Sequence, residues 1–450
     1  MGKSIKESMQ TFAINSALKY LEGNPEENIP KLMNMVDKFS PDGWYENHRA
    51  AIRNVINEKG NWYQLILKIY ELDPEVRKAF FQNFIFNTCL KGSSIQHEVS
   101  EREGCNVPWT ILLDPTSACN MHCTGCWAAE YGNKLNLSLE TLDSIIRQGK
   151  EMGVYMYIYT GGEPLVRKKD LIKICEMHPD CEFLSFTNGT LIDEDFCNEM
   201  LRVKNFVPAI SLEGFEEAND SRRGQGVYKK VKNAMDLLKS HKLPFGISTC
   251  YTSRNYADIT SEEFFDYIID CGALFAWFFH YMPVGNDSAT ALLPTPEQRK
   301  TVYHRIREFR NSKPIFTMDF QNDAEFVGGC VAGGKYYFHI NAGGDVEPCV
   351  FVHYSNCNIH DCSLLDALKS PLFMAYREGQ PFNENMLRPC PMLENPERIK
   401  EMVETTGAVS TDYQSPESVK NLYEKTVPYA ENWKETADNL WSKNHLAEPH

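Results

Sequence analysis

Three cysteines in this 450-residue chain stand at a spacing suited to metal chemistry: Cys119, Cys123 and Cys126, followed by Trp127. Thiolates spaced C-x3-C-x2-C can hold three corners of a cubane [4Fe–4S] cluster and leave the fourth iron open to a non-protein ligand. An open iron separates a reactive cluster from a simple electron carrier. The competing chemistry is a zinc knuckle that adds His122, although His122 and Cys123 are adjacent and would crowd one another. A second string, Thr160-Gly161-Gly162-Glu163-Pro164, follows an apolar run. Its glycines let backbone approach a ligand closely, and Glu163 can pair with an ammonium group. Its bland alternative is a Gly-Gly turn.

These residues need elements to position them. Residues 1 to about 105 read as helical, with apolar positions at helical spacing in 14–20, 29–36 and 62–72, a break and restart at Asp73-Pro74, and an aromatic stretch at 76–86. Phe80, Phe81, Phe84 and Phe86 there read as a packed helix face. From about 108, short apolar runs at 109–113, 154–159, 183–186, 207–212, 245–250 and 275–281 alternate with helical stretches at 139–152, 169–177, 194–202, 227–240 and 261–271. Six strands alternating with helices imply parallel βα units, an α/β barrel or a doubly wound sheet. Functional groups then lie at the carboxyl ends of the strands. Another helix follows at 295–310, then a segment rich in Gly, Cys and Asn to about 395. A charged helical tail covers 396–450.

Composition narrows the function. The 46 basic and 61 acidic side chains give a formal charge of −15 without a long basic run, which excludes a phosphate-backbone binder, so nucleic acid is not an expected partner. No window reaches the length of a membrane span, the N-terminus lacks a signal peptide's apolar core, and Lys6 spoils the myristoylation pattern. The expected location is cytoplasmic, where 15 unevenly spaced cysteines read as thiols and metal ligands.

The cysteine triplet with its trailing aromatic residue, and Gly161-Gly162-Glu163-Pro164 after the second strand, resemble the radical S-adenosylmethionine (radical SAM) superfamily. The resemblance implies a partial (β/α)6 barrel at 106–315 and a [4Fe–4S] cluster on Cys119, Cys123 and Cys126. It also implies S-adenosylmethionine as co-substrate, chelating the open iron. A one-electron donor of flavodoxin or ferredoxin type reduces the cluster, and cleavage of the sulfonium gives methionine and a 5′-deoxyadenosyl radical that takes hydrogen from an unactivated C–H bond. Gly161, Gly162, Glu163 and Pro164 would contact the methionine amino group. Asn188 ends the third strand. Ser211 and Glu213 end the fourth, where relatives commonly carry Asp in place of Glu213. Ser248 is a candidate for the carboxylate, and Met282, within Tyr281-Met-Pro-Val-Gly285, for the adenine. His280 and Tyr281 are candidate relays, or hydrogen-bonded structural residues.

Beyond the barrel, Cys330, Cys349 and Cys390 form C-x13-G-x4-C with a later cysteine. This resembles the auxiliary modules called SPASM and twitch, implying one auxiliary [4Fe–4S] cluster within 316–395. Cys357 and Cys362 are candidates for the fourth ligand. The rival is zinc on Cys349, His353, Cys357 and Cys362. Cys89, Cys175, Cys181, Cys197, Cys250 and Cys271 read as small buried hydrophobes, and Cys105 is left unassigned. An aromatic helical segment in place of a peptide-leader module tilts the expected substrate toward a lipid-like molecule, with C–C bond formation and peripheral membrane contact. The alternatives are a peptide or protein side-chain maturase and a non-catalytic Fe–S sensor.

Overall fold

A computed structural model describes residues 24–39 and 46–445. The helical reading of 14–20 lies outside them. Six strands occupy the apolar runs: β1 Thr110–Leu113, β2 Met156–Tyr159, β3 Glu182–Thr187, β4 Phe206–Ser211, β5 Gly246–Tyr251 and β6 Phe275–His280. All pair in parallel with their sequence neighbours, as the intervening helices require.

The sheet does not stop at six. β7 (Phe316–Asp319) adds in parallel to β6, and β8 (Tyr337–Ile340) adds in parallel to β1. β9 (Val346–Glu347) turns back on β8, giving the order β7-β6-β5-β4-β3-β2-β1-β8-β9. Phe320, just past β7, meets Tyr337 of β8 at a ring separation of 5.9 Å, so side chains close the seam that backbone pairing leaves open. The boundary expected at 315/316 is therefore not a sheet boundary. Residues 337–347, within the segment assigned by sequence to a separate module, supply strands of this sheet, because β8 carries an apolar run that only a buried sheet can satisfy. The hairpin's turn relies on Gly344, at φ +91°, where only glycine is unstrained.

Helices Asn61–Tyr70, Pro74–Phe80, Phe81–Gly92 (a π-helix) and Ser93–Glu103 lie under the barrel, against the amino-terminal ends of its strands. Asp73 caps the second of them, accepting from the Glu75 and Val76 amides, with Pro74 in the first turn. The docking is largely amide to carbonyl: Asn83 donates to Pro179 and Cys181, Asn87 to Asp180, and Gln96 to Gly153, at 2.8–3.1 Å. Phe80 stacks on Phe84, and Phe84 meets the edge of Trp109 at 5.8 Å. The aromatic helix face is thus a packed floor beneath the barrel. At the other end the C-terminal helix Val419–His445 buries Trp433 fully, its indole donating to Leu387 and stacked by the Arg299 guanidinium at 4.2 Å. Among the described residues no helix is long and apolar enough to cross a membrane.

Glu182, at the start of β3, is 1% exposed, and the one polar side chain facing it, Asn83, already donates its amide to the Pro179 and Cys181 carbonyls. Burial pushes its carboxyl up to about 8 from an ordinary 4.5. The folded chain therefore holds a proton there that the unfolded chain loses, and stability must fall as pH rises from about 4.5 to about 8. Glu182→Gln is expected to flatten this limb in denaturant unfolding followed across that range, and an unchanged slope would show that Glu182 is not its source.

Candidate active site

The Cys119–Cys126 loop leaves the end of β1 and is clamped by the loop that follows β2. Gly162 donates its amide to Thr116 at 3.0 Å and Glu163 to Ala118 at 2.8 Å. A Cβ on Gly162 would stand 2.2 Å from the Ala118 oxygen, and one on Gly161 2.7 Å from the Asp114 carboxyl carbon. The glycines thus let one loop press on the other, a closer constraint than contact with a ligand alone. Glu163, 1% exposed, accepts from Leu165 and Asn188 amides and from the Thr187 hydroxyl at 2.6–3.0 Å. Three bonds on a carboxylate leave about one lone-pair site for an ammonium group.

These loops open on a cavity of about 430 Å³ that runs from the cysteines into the barrel. Of the residues singled out by sequence, Cys119, Cys123, Cys126, Gly161, Gly162, Glu163, Asn188, Ser211, Ser248 and Met282 line it. Pro164 and Glu213 do not. Pro164 starts a short 3-10 helix behind the loop. Glu213 is fully buried and held by the guanidinium groups of Arg222 and Arg223, with the Cys250 amide 3.0 Å away. Against the penalty of burial, these two arginines keep its carboxyl below the usual range. The expected ribose acceptor is instead the anchor that turns two cations toward the cysteines.

Arg222 and Arg223 themselves line the cavity; they lie in Asp220-Ser-Arg-Arg-Gly224, a string that also resembles the superfamily but suggests no role for them. Cys250, Trp277 and Phe279 line it with no motif to mark them. The β6 sequence carried a usable signal. Its alternate residues Trp277 and Phe279 face inward and Ala276 and Phe278 face the helices, the period-two pattern of a two-sided strand. Cys250, read as a buried hydrophobe, faces the cavity for the same reason. His280 and Tyr281 also border it, but both are engaged. The His280 ring bonds the Tyr281 carbonyl and the Tyr429 hydroxyl, each at 2.6 Å. Burial, then Arg299, hold His280 neutral, well below its usual range. The Tyr281 hydroxyl accepts from Ala289, the structural role of the two weighed. His122 is exposed and outside the lining, which removes the fourth ligand of a zinc knuckle.

Cys119 is the most exposed of the three; partial desolvation within the loop, then the charges of Glu163, Cys126 and Cys123, push its thiol up to about 11. Such thiols stay protonated until a cationic group claims them. Three thiols facing one cavity, with two guanidinium groups beside them, fit a [4Fe–4S] cluster and the carboxylate end of a zwitterionic amino-acid co-substrate. Among the described residues no three His, Cys, Asp or Glu side chains gather closely enough to chelate a single ion. A cubane takes each thiolate on a separate iron and so at wider spacing.

Cys330, Cys349 and Cys390 converge behind the far wall. Each thiol is raised, by burial first, and the Cys390 thiol feels the charges of both others. Cys357 and Cys362 lie elsewhere, hydrogen-bonded to each other and packed on the helix side of the sheet. They supply no fourth ligand to the trio. The zinc arrangement fails too, since His353 is bound to Asp412 and the Val350 carbonyl and stacks on Tyr131 at 4.5 Å.

A buried charge chain joins the two regions. His339 of β8 bonds Asp114, just past β1, at 2.9 Å and Glu347 of β9 at 2.7 Å. Glu347 also accepts from Tyr131, Asn341 and Thr411. Trp127 stands edge-on to His339, Phe351 and His353, so the aromatic residue after the cysteines is wedged into this chain.

Residues 113–267 match the model of the Radical SAM superfamily. The AdoMet-dependent heme synthase of Methanosarcina barkeri is 25% identical over 47% of this chain, and the match spans 61% of that protein's length. The PqqA peptide cyclase of Gluconobacter oxydans is 25% identical over 68% of this chain and 89% of its own. In fold the chain resembles Streptococcus suis SuiB bound to precursor peptide SuiA, with a TM-score of 0.56 and 20% identity over 73% of this chain and 80% of that one.

Removing the centre of the charge chain leaves two buried carboxylates facing one another, a loss of about 3–5 kcal/mol. His339→Ala is expected to lose stability on that scale in denaturant unfolding. Against burial, Asp114 and Glu347 push the His339 imidazole up to about 10 from 6.5. Its contribution is therefore full below about 6.5 and lost as pH rises toward 10. The variant should lack this alkaline limb, and a parental limb in it would exclude His339 as the titrating group.

Proposed function

From the premise that this chain is a radical SAM enzyme, using a [4Fe–4S] cluster and S-adenosylmethionine, we propose that Cys119, Cys123 and Cys126 hold the catalytic cluster. In this reading Cys330, Cys349 and Cys390 hold an auxiliary one. The bound cluster, reduced by a flavodoxin- or ferredoxin-type donor, supplies the electron that cleaves S-adenosylmethionine and yields a radical able to take hydrogen from an unactivated C–H bond. The chain's own residues do the rest. Glu163 and the Gly161-Gly162 backbone receive the amino group. Arg222 and Arg223, held by Glu213, neutralise carboxylate and thiolate charge. Ser248 faces the carboxylate and Met282 the adenine, Asn188 and Ser211 line the rest of the same cavity, and the aromatic walls exclude water.

The observation that carries the substrate reading is the cavity. At about 430 Å³ it is near the lower end of small-molecule sites, about 300–1,000 Å³. Once the co-substrate is seated, the remaining space suits one apolar side chain rather than an extended acyl chain. Together with a relative named for peptide cyclisation, this favours a peptide or protein side chain as substrate. The aromatic helix face that pointed toward lipid is occupied in flooring the barrel. A lipid-like substrate joined through C–C bond formation retains one support, the apolar lining around Trp277, Phe279 and Phe320.

Anaerobically reconstituted protein given dithionite and S-adenosylmethionine is expected to release 5′-deoxyadenosine. Cys126→Ala should abolish release, and Gly162→Ala should reduce it by at least about 100-fold, because a 1 Å misplacement alone costs that much. With deuterated candidates, label should enter 5′-deoxyadenosine from peptide and not from lipid extracts. The reverse result would install the lipid reading, and no product from a reducible cluster would remove the enzymatic one.

A further inference from the structure

Behind the cavity wall, the convergence of Cys330, Cys349 and Cys390 includes a fourth group that no motif indicated. Tyr376, on the helix Pro371–Gly379, is fully buried, and its hydroxyl has no hydrogen-bond partner among the described residues. The charges it feels besides burial are those of Cys330, Cys349 and Cys390, all three members of the trio and nothing else. A buried phenol with no acceptor is a rare and costly arrangement. The ring is closely packed on two sides. Gly333, at φ +64°, lies so close that a Cβ on it would stand 2.5 Å from the Tyr376 Cβ, and Phe382 packs edge-on from the other side at 5.4 Å. A second phenol in the same group, Tyr337, already bonds a ligand sulfur, its oxygen 2.8 Å from the Cys349 Sγ.

Resting on the auxiliary-cluster reading above, we propose that Tyr376 is a positioning residue whose O–H donates a hydrogen bond to the sulfurs of that cluster, and that with Tyr337 it sets the cluster's reduction potential. An iron–sulfur cluster offers what the phenol lacks, sulfur acceptors bearing negative charge, and hydrogen bonds to those sulfurs are among the determinants of potential. A neutral donor favours the reduced, more negative state, so two phenols raise the potential and make the cluster the better electron acceptor. Ligation by phenolate is the weaker alternative, because burial beside three thiolates penalises a further negative charge.

The test uses full-length protein carrying Cys119→Ala, Cys123→Ala and Cys126→Ala, so that the auxiliary site alone is loaded anaerobically. Iron content and an electron-paramagnetic-resonance redox titration are compared with and without Tyr376→Phe, which keeps the ring, and with Tyr337→Phe. The expected result is unchanged iron and a reduction equilibrium at least tenfold less favourable in Tyr376→Phe, 59 mV for one electron. After exchange into D2O, a coupled deuteron should be seen in the parent and missing from the variant. Unchanged potential and coupling with iron retained would overturn the proposal. Iron lost only in Tyr376→Phe would also overturn it, by making the phenol a ligand. A parent that binds no cluster at this site would fail the auxiliary-cluster reading itself, an outcome distinct from both.

Discussion

A buried imidazole hydrogen-bonded to two buried carboxyl groups, Asp114–His339–Glu347, holds this molecule's two halves in register. Each charged partner comes from a different strand or strand end: β1, β8 and β9. Burying any one of them alone would be prohibitive, so the three are stable only when the strands are adjacent. Cys119 follows Asp114 by five residues, and Cys349 follows Glu347 by two. The charge chain thereby fixes where both sets of thiols begin.

Much of this was legible in the chain itself. Parallel strands could be read because their apolar runs are short and separated by amphipathic helices. The cysteine and glycine motifs could be read because metal chemistry and close backbone approach admit few residue types. What escaped were groups whose role depends on partners distant in sequence. Glu213 could not be told from a ligand-facing acid without seeing Arg222 and Arg223 turn onto it. Tyr376 has no local signature, being defined by three cysteines far from it in sequence. The β7 and β8 strands were missed as barrel members because a four-residue run carries little periodicity, and pairing to β1 across more than 220 residues leaves no trace in local spacing.

The N-terminal helices show what an aromatic helix face is for. The phenylalanines read as a packed face, and that face is the barrel floor; only the tilt toward a lipid-like substrate, drawn from the same segment, loses its basis. The open amino-terminal end of the sheet exposes carbonyls and an aromatic core residue, Trp109, that must be covered. Side-chain amides satisfy the carbonyls, and Phe84 covers the ring.

Because β8 is hydrogen-bonded to β1 along four residues, the two thiol groups are stations on one continuous sheet rather than the contents of two hinged lobes. Their separation behaves as a fixed ruler, set by strand geometry and indifferent to whether a substrate is present. An electron crossing between them would meet the same distance at every turnover.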